Sequence, residues 1–278
     1  MRFGPVRPWR VLLLTAFLLT VLPLLFETRL IYHPQRAHDV SARELGLAAE
    51  PVTLRAEDGV AIDALFLPVA SSRFTVLFAH GNAGNLSHRL DRVLFLQSKL
   101  RVDVLLFDYR GFGRSEGRPD EAGTYRDARA AYRWLVESRR VPPERIVLMG
   151  ESLGSAVALD LAVSHPARAL VLESPFTSVP DMAAVVFPFL PARWLVRTRY
   201  DNLGKIDRLR MPLLVLHGDR DDIVPFAQGR RLFDAAPQPK RFFAIAGAGH
   251  NDTYVVGGTP YWKAVADFLD GLPPLPGR

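Results

Sequence analysis

The chain contains no cysteine. Disulfides, thiolate metal sites, a cysteine nucleophile and a lipidated N-terminal cysteine are therefore excluded, although a cysteine-free protein can live in any redox compartment. Lysine is scarce, confined to Lys99, Lys205, Lys240 and Lys263. Positive charge is carried by arginines scattered singly or in pairs such as Arg139-Arg140 and Arg230-Arg231. The formal net charge is +6, yet there is no basic run of five residues and no basic cluster interleaved with aromatics. This pattern argues against a nucleic-acid partner and for solvated faces with mild attraction to anionic lipid. Internal repeats and low-complexity tracts are missing too. With 278 residues, 49% hydrophobic and 23% charged, the composition is globular and the length suits one large domain or two small ones.

The N-terminus carries an uncharged run of 16 residues, Val11 to Phe26, preceded by Arg2, Arg7 and Arg10 and followed by Glu27 and Arg29. As a helix it spans about 24 Å, short of the roughly 30 Å hydrocarbon core. Trp9 before it and Leu30-Ile31-Tyr32 after it can make up the difference at the interfaces, and Pro23 is tolerated in a membrane helix. A cleaved signal peptide would need a small-x-small site, which the ending Leu24-Leu25-Phe26-Glu27-Thr28-Arg29 lacks. The expectation is one uncleaved N-terminal membrane helix. More arginine precedes it than immediately follows it, which places the bulk of the chain on the periplasmic or exoplasmic side.

Residues 34–51 are polar and Ala-rich, with a short possible helix around Ser41 to Leu47, and read as a connector. Val52 to Leu54 and Val60 to Leu67 then flank Glu57-Asp58-Gly59 as a hairpin. Four short apolar runs follow, Phe74 to Phe78, Val102 to Phe107, Ile146 to Met149 and Ala169 to Leu172, each suited to a strand buried on both faces and expected as parallel neighbours. Helical spacing lies between them, at Leu90 to Leu100, Tyr125 to Leu135 and Ala156 to Ala162. Leu213 to Leu216 and Arg241 to Ala246 add strands, followed by helices near Gln228 to Ala235 and Tyr261 to Leu269. Such alternation predicts an α/β fold with a mostly parallel sheet covered by helices on both faces. The irregular, apolar insertion from Phe176 to Leu203 is a candidate small cap. The expected organisation is thus an anchor over 1–33, a connector over 34–51, and an α/β domain over 52–278 with its cap at about 176–203.

The strand Ile146 to Met149 runs into Gly150-Glu151-Ser152-Leu153-Gly154, and a helical pattern starts at once. That context is what a G-x-S-x-G sequence needs, because a sharp strand-to-helix turn exposes the serine in a strained conformation that bulky neighbours would obstruct. A serine hydroxyl also needs a base, itself oriented by a carboxylate. Two strand ends on the same sheet edge supply candidates: His217-Gly218-Asp219-Arg220-Asp221-Asp222 and Gly247-Ala248-Gly249-His250-Asn251-Asp252. The chain order Ser152, Asp221, His250 suits this type of site, with Asp219 and Asp222 as alternates for the carboxylate. An acyl-transfer oxyanion needs two backbone N–H donors. Leu153, directly after the nucleophile, is one; Asn82 in His80-Gly81-Asn82-Ala83-Gly84-Asn85 is the other, with Ala83 as its alternate. His80 reads as a structural hydrogen-bonder, since only one base is required.

With those residues placed, the chain from about Val52 onwards resembles the alpha/beta-hydrolase superfamily, and more narrowly its membrane-associated abhydrolase-domain group, which includes the fungal bud-emergence homologue. The group's H-G-N-A-G-N matches His80 to Asn85, its D-Y-R-G-[FY]-G-x-S-x-G matches Asp108 to Gly117, and its H-N-D-T matches His250 to Thr253. The resemblance implies an eight-stranded alpha/beta-hydrolase fold, the triad Ser152, Asp221 and His250, no cofactor or metal, and hydrolysis of an ester or thioester. A small-molecule or lipid-like acyl substrate fits the apolar cap and the membrane-lipid tether. Glu151 is a local departure, so substrate specificity does not transfer. Two other classes of function stay open at this point: a serine peptidase of the aminopeptidase type, and a non-catalytic membrane-tethered binding module.

Overall fold

The computed structural model describes residues 26–273 and a few isolated positions before them. Eight strands form one sheet: β1 (Glu50–Arg55), β2 (Ala61–Leu67), β3 (Thr75–Ala79), β4 (Asp103–Phe107), β5 (Ile146–Glu151), β6 (Ala169–Glu173), β7 (Leu213–Gly218) and β8 (Lys240–Ile245). Their spatial order is β8-β7-β6-β5-β3-β4-β2-β1. From β4 to β8 every pairing is parallel, while β1 with β2 and β2 with β4 are antiparallel. The four apolar runs read from the sequence are the contiguous centre of this sheet.

Successive side chains in these strands enter different cores, as the two-residue period of a strand requires. Leu77, Leu105, Leu148, Leu170 and Val215 pack on one face; Val76, Val104, Val147, Val171 and Leu214 pack on the other. Helices α3 (Glu121–Arg133), α4 (Leu153–Ala162) and α7 (Phe226–Ala235) cover the first face. Helices α2 (Leu90–Leu100) and α9 (Gly258–Asp270) cover the second. Each run is apolar throughout because both faces are dry. Between β6 and β7 lie α5 (Val179–Val186) and the short α6 (Ala192–Leu195), where the sequence suggests a cap; α8 (Thr253–Val256) precedes α9.

The N-terminal part departs from expectation. The proposed membrane span, Val11 to Phe26, falls almost wholly outside the described residues, among which no helix is long and apolar enough to cross a membrane. Residues 34–51 are no loose connector. His33 and Pro34 pair in parallel with Ala83 and Gly84, the Tyr32 ring is buried, and Ala42 and Leu47 join the core of the second face. Asn85 Nδ2 donates to the carbonyls of Gln35 (3.0 Å) and Ala37 (2.6 Å), and Gly113 N donates to Gln35 O at 3.0 Å. Around Ser41 to Leu47 there are turns in place of the possible helix. The Glu44 carboxylate accepts from Ser41 N at 2.7 Å, and Gly46 at φ +68° reverses the chain. Backbone polar groups that look solvated in sequence are thus satisfied by loops far along the chain.

Helix α1 (Glu27–Ile31) begins this strap. Its Glu27 carboxylate accepts from the amides of Arg197 (3.1 Å) and Thr198 (2.6 Å), which docks it beside α6.

Candidate active site

Ser152 joins β5 to α4 with φ 50° and ψ −118°, a region that costs a non-glycine residue on the order of 1–3 kcal/mol. Close packing of the two elements imposes this turn. A Cβ on Gly150 would lie 2.2 Å from Gly154 O, and one on Gly154 would lie 2.0 Å from Ala79 O. Both glycines of the motif are therefore demanded by backbone contact. Ser152 N donates to Glu173 O at 2.9 Å, which pins the turn to the end of β6.

His250 follows β8, and its Nδ1 lies 2.8 Å from Asp221 Oδ2. Asp221, in the loop after β7, accepts at Oδ1 from the amides of Ile223 (3.0 Å) and Val224 (2.8 Å). Burial raises the Asp221 pKa, but hydrogen bonding from His217 and His250 outweighs it and holds the carboxyl well below the usual carboxylate range. The alternates behave differently: Asp219 Oδ1 is taken by Gly247 N at 2.7 Å, and Asp222 is exposed. The described geometry brings Asp221 and His250 together and lines one cavity with both His250 and Ser152.

Asn82 and Leu153 line a cavity with Ser152. Leu153 opens α4, so its N–H has no acceptor within the helix. The Asn82 loop is held on both sides, with Asn82 Nδ2 donating to Ile31 O at 2.7 Å and His33 N donating to Asn82 O at 2.8 Å. His80 is fully buried, its Nδ1 donating to Gly81 O at 2.7 Å and its Nε2 facing Asp108 Oδ1 at 3.3 Å, a structural position.

Two cavities meet at Ser152. One, of about 400 Å³, is apolar and lined by Leu153, Phe176, Met182, Val186 and Leu195 together with Leu30 and Ile31 of α1. The other, of about 280 Å³, is lined by Arg89, Arg92, Glu151, Ser174, His250 and Tyr254. Behind the second lies a charged cluster that the sequence reading misses. Arg92 Nη1 donates to Glu151 Oε2 and its Nη2 to Glu173 Oε1, both at 2.8 Å. Arg89 Nε donates to Glu151 Oε1 at 2.5 Å, and Gly81 N donates to the same oxygen at 3.1 Å. Thr253 Oγ1 and Tyr261 OH each donate to Glu173 at 2.5 Å. The Arg92 guanidinium also stacks on the Tyr254 ring, 4.3 Å from its centre. Burial alone would raise the Glu151 pKa, but Arg89 and Arg92 pull it down to about 2. This cluster ties the Ser152 turn, the Asn82 loop and the segment after His250 to one arginine. Glu173, one acidic residue at the end of an apolar strand, was the available signal in the sequence.

His38, Asp63 and Asp108 bring donor atoms within 4.8 Å of one another, with His38 Nε2 3.5 Å from Asp108 Oδ2 and 3.7 Å from Asp63 Oδ2. The imidazole sits between two carboxylates where the strap meets the sheet, and these residues line neither cavity.

The sequence profile of the alpha/beta hydrolase fold matches residues 75–202. An uncharacterized protein of Mycobacterium tuberculosis is 42% identical over 87% of this chain and 87% of its own. The alpha/beta hydrolase domain-containing protein WAV2 of Arabidopsis thaliana is 34% identical over 90% of this chain and 89% of its own, and bem46 of Schizosaccharomyces pombe is 35% identical over 88% and 86%. Among solved structures, the Pyrococcus furiosus esterase Pf2001 superposes with a TM-score of 0.73 at 21% identity, covering 87% of this chain and 98% of that one.

Proposed function

The chain belongs to the alpha/beta-hydrolase family, in the abhydrolase-domain group that includes bem46, and on that premise we propose that it is a membrane-tethered serine hydrolase of acyl esters or thioesters. Ser152 is the nucleophile, His250 the base and Asp221 its orienting carboxylate. The observation that carries this reading is the strained Ser152 turn opening into the same cavity as a histidine whose Nδ1 is held 2.8 Å from a buried carboxylate.

In the first step Ser152 Oγ attacks the acyl carbon while its proton passes to His250 Nε2; Asp221 stabilises the resulting imidazolium. The Asn82 and Leu153 amides receive the oxyanion. Breaking the bond to the leaving oxygen or sulfur returns that proton to the departing alcohol or thiol, and water, deprotonated by His250, then releases the acid. The acyl chain occupies the apolar cavity. An aminopeptidase would need a free carboxylate for the substrate ammonium, whereas of the two carboxylates that line the polar cavity Glu151 is paired with Arg89 and Arg92 and Asp91 accepts from Tyr254 OH.

Membrane attachment through the segment before Phe26, with the catalytic domain on the periplasmic or exoplasmic side, is part of the proposal. It is supported by the arginines around that segment and by the cap, where Phe189 is 97% and Trp194 84% exposed. Aromatics so placed suit a bilayer interface. In the decisive test, the full chain in detergent reacts with a fluorophosphonate and hydrolyses acyl esters, and Ser152→Ala loses both; Ser152→Ala retaining full activity overturns the mechanism. A C-terminal reporter active only in the cytoplasm overturns the orientation.

A further inference from the structure

The polar cavity is more than the reverse side of the apolar one. Ser174 lines it and is buried, with 2% exposure, and its hydroxyl has no hydrogen-bond partner among the described residues. A hydroxyl removed from water and left unpaired is unfavourable unless a ligand or solvent completes it. Ser174 also holds φ +45°, in the left-handed region that glycine adopts at lower cost. Its position relative to the nucleophile is fixed: Ser174 N donates to Leu216 O at 2.9 Å, and the preceding Glu173 carbonyl accepts Ser152 N at 2.9 Å.

The charges of the cavity define what it can receive. Its wall contains two cations, Arg89 and Arg92, and two carboxylates, Asp91 and Glu151. Glu151 is bound by both arginines, Arg92 is further bound by Glu173, and Asp91 accepts from Tyr254 OH. No cation is left unpaired for an anionic group, and the carboxylate in excess of the arginines, Asp91, is already engaged by the Tyr254 hydroxyl. What the cavity offers instead is hydrogen bonding in a volume of about 280 Å³, enough for an alcohol of a few carbons.

We propose that the polar cavity is a leaving-group subsite for a small, uncharged, hydroxyl-bearing alcohol, with the Ser174 hydroxyl as its specificity determinant, so that the substrate class is a long-chain acyl monoester of a polyol such as glycerol. This rests on the reading of Ser152 as nucleophile. The acyl chain lies on the apolar side of Ser152, the polyol lies on the polar side, and the leaving oxygen takes its proton from His250 as the ester bond breaks.

The test is a ratio measured on one sample, which does not depend on how much of that sample is folded. With the full chain in detergent micelles, kcat/KM for a 1-acylglycerol is expected to exceed that for the ethyl ester of the same acid by about 3- to 10-fold, the range of one neutral hydrogen bond. Ser174→Ala should bring the ratio close to one. Ser174→Gly, which relaxes the backbone and also lacks the hydroxyl, should do the same. The 1-acylglycerol 3-phosphate should be no better than the 1-acylglycerol. An equal rate on glyceryl and ethyl esters in the unaltered protein, a ratio unchanged by both substitutions, or a preference for the phosphate ester overturns the subsite while leaving Ser152 in place. Absence of fluorophosphonate labelling in the unaltered protein removes the nucleophile assignment, and the subsite with it.

Discussion

The two cavities that meet at Ser152 are walled by opposite means. On the apolar side most of the wall comes from a single insertion and α1, and side chains of the insertion are partly open, with Val186 58% and Phe187 39% exposed. On the polar side Arg92 and Glu173 are almost fully buried, and the groups that hold them come from five places along the chain: α2, the end of β5, the end of β6, the start of α8 and the start of α9. Dispersion contacts in an open wall can be exchanged for one another, whereas a buried ion pair tolerates the loss of neither partner. In the reaction proposed for Ser152, the polar wall would fix the geometry and the apolar wall would set what is admitted to it.

Substitutions can break that division at several levels. The largest effect belongs to the fixed side: Asp221→Asn should lower kcat on the order of 10⁴-fold by removing the carboxylate that orients His250. The measurement is ester hydrolysis with folding checked by circular dichroism, and a loss under tenfold would contradict the assignment. Next, Arg92→Leu leaves Glu173 and Glu151 without their central partner and should cost about 3–5 kcal/mol in denaturant unfolding. On the adaptable side, Ala183→Trp narrows the apolar cavity and should shift preference from long towards short acyl chains by about 10- to 100-fold, read from kcat/KM across a chain-length series. Stability should hardly move, and a large loss there would show that the cap is as rigid as the wall opposite.

The smallest effect concerns acid. Glu151 has its pKa lowered from 4.5 to about 2, so its stabilising contribution is fully present above pH about 4.5 and fades as pH falls towards 2. Unfolding curves of the protein and of Glu151→Gln across that window should differ in slope, with the variant less sensitive to pH. Parallel slopes would mean that the arginines do not hold this carboxylate.

What could be read from the sequence depended on how far apart the cooperating residues are. The central strands were legible because each is a short apolar run, and Ser152 because Gly150 and Gly154 are required locally by backbone contact. Asp221 and His250 could be located because each ends a strand on one sheet edge. Arg92 could not: one arginine within the helical pattern from Leu90 to Leu100 looks like a solvated position. Its partners Glu151, Glu173 and Thr253 lie 59, 81 and 161 residues away. Ser174 gives no pattern at all, since its φ is set by tertiary contacts. The strap over 34–51 was misread for a related reason. It has little apolar patterning, and its order comes from amide and carbonyl partners in the Asn82–Asn85 and Gly113–Ser115 loops.

That strap has a mechanical consequence. Between Glu27 and the first strand the chain has little slack, because Ile31, His33, Gln35, Ala37 and Asp39 are each bonded to the domain. A body hung on a loose leash samples every tilt, but one bolted close to its point of suspension does not. On the proposed membrane attachment, whatever holds the residues before Phe26 would also set the direction in which the apolar cavity faces, since α1 forms part of that cavity's wall. Inserting a flexible Gly-Ser stretch just before Glu27 would cut this coupling between attachment and aim without touching a residue of the catalytic site.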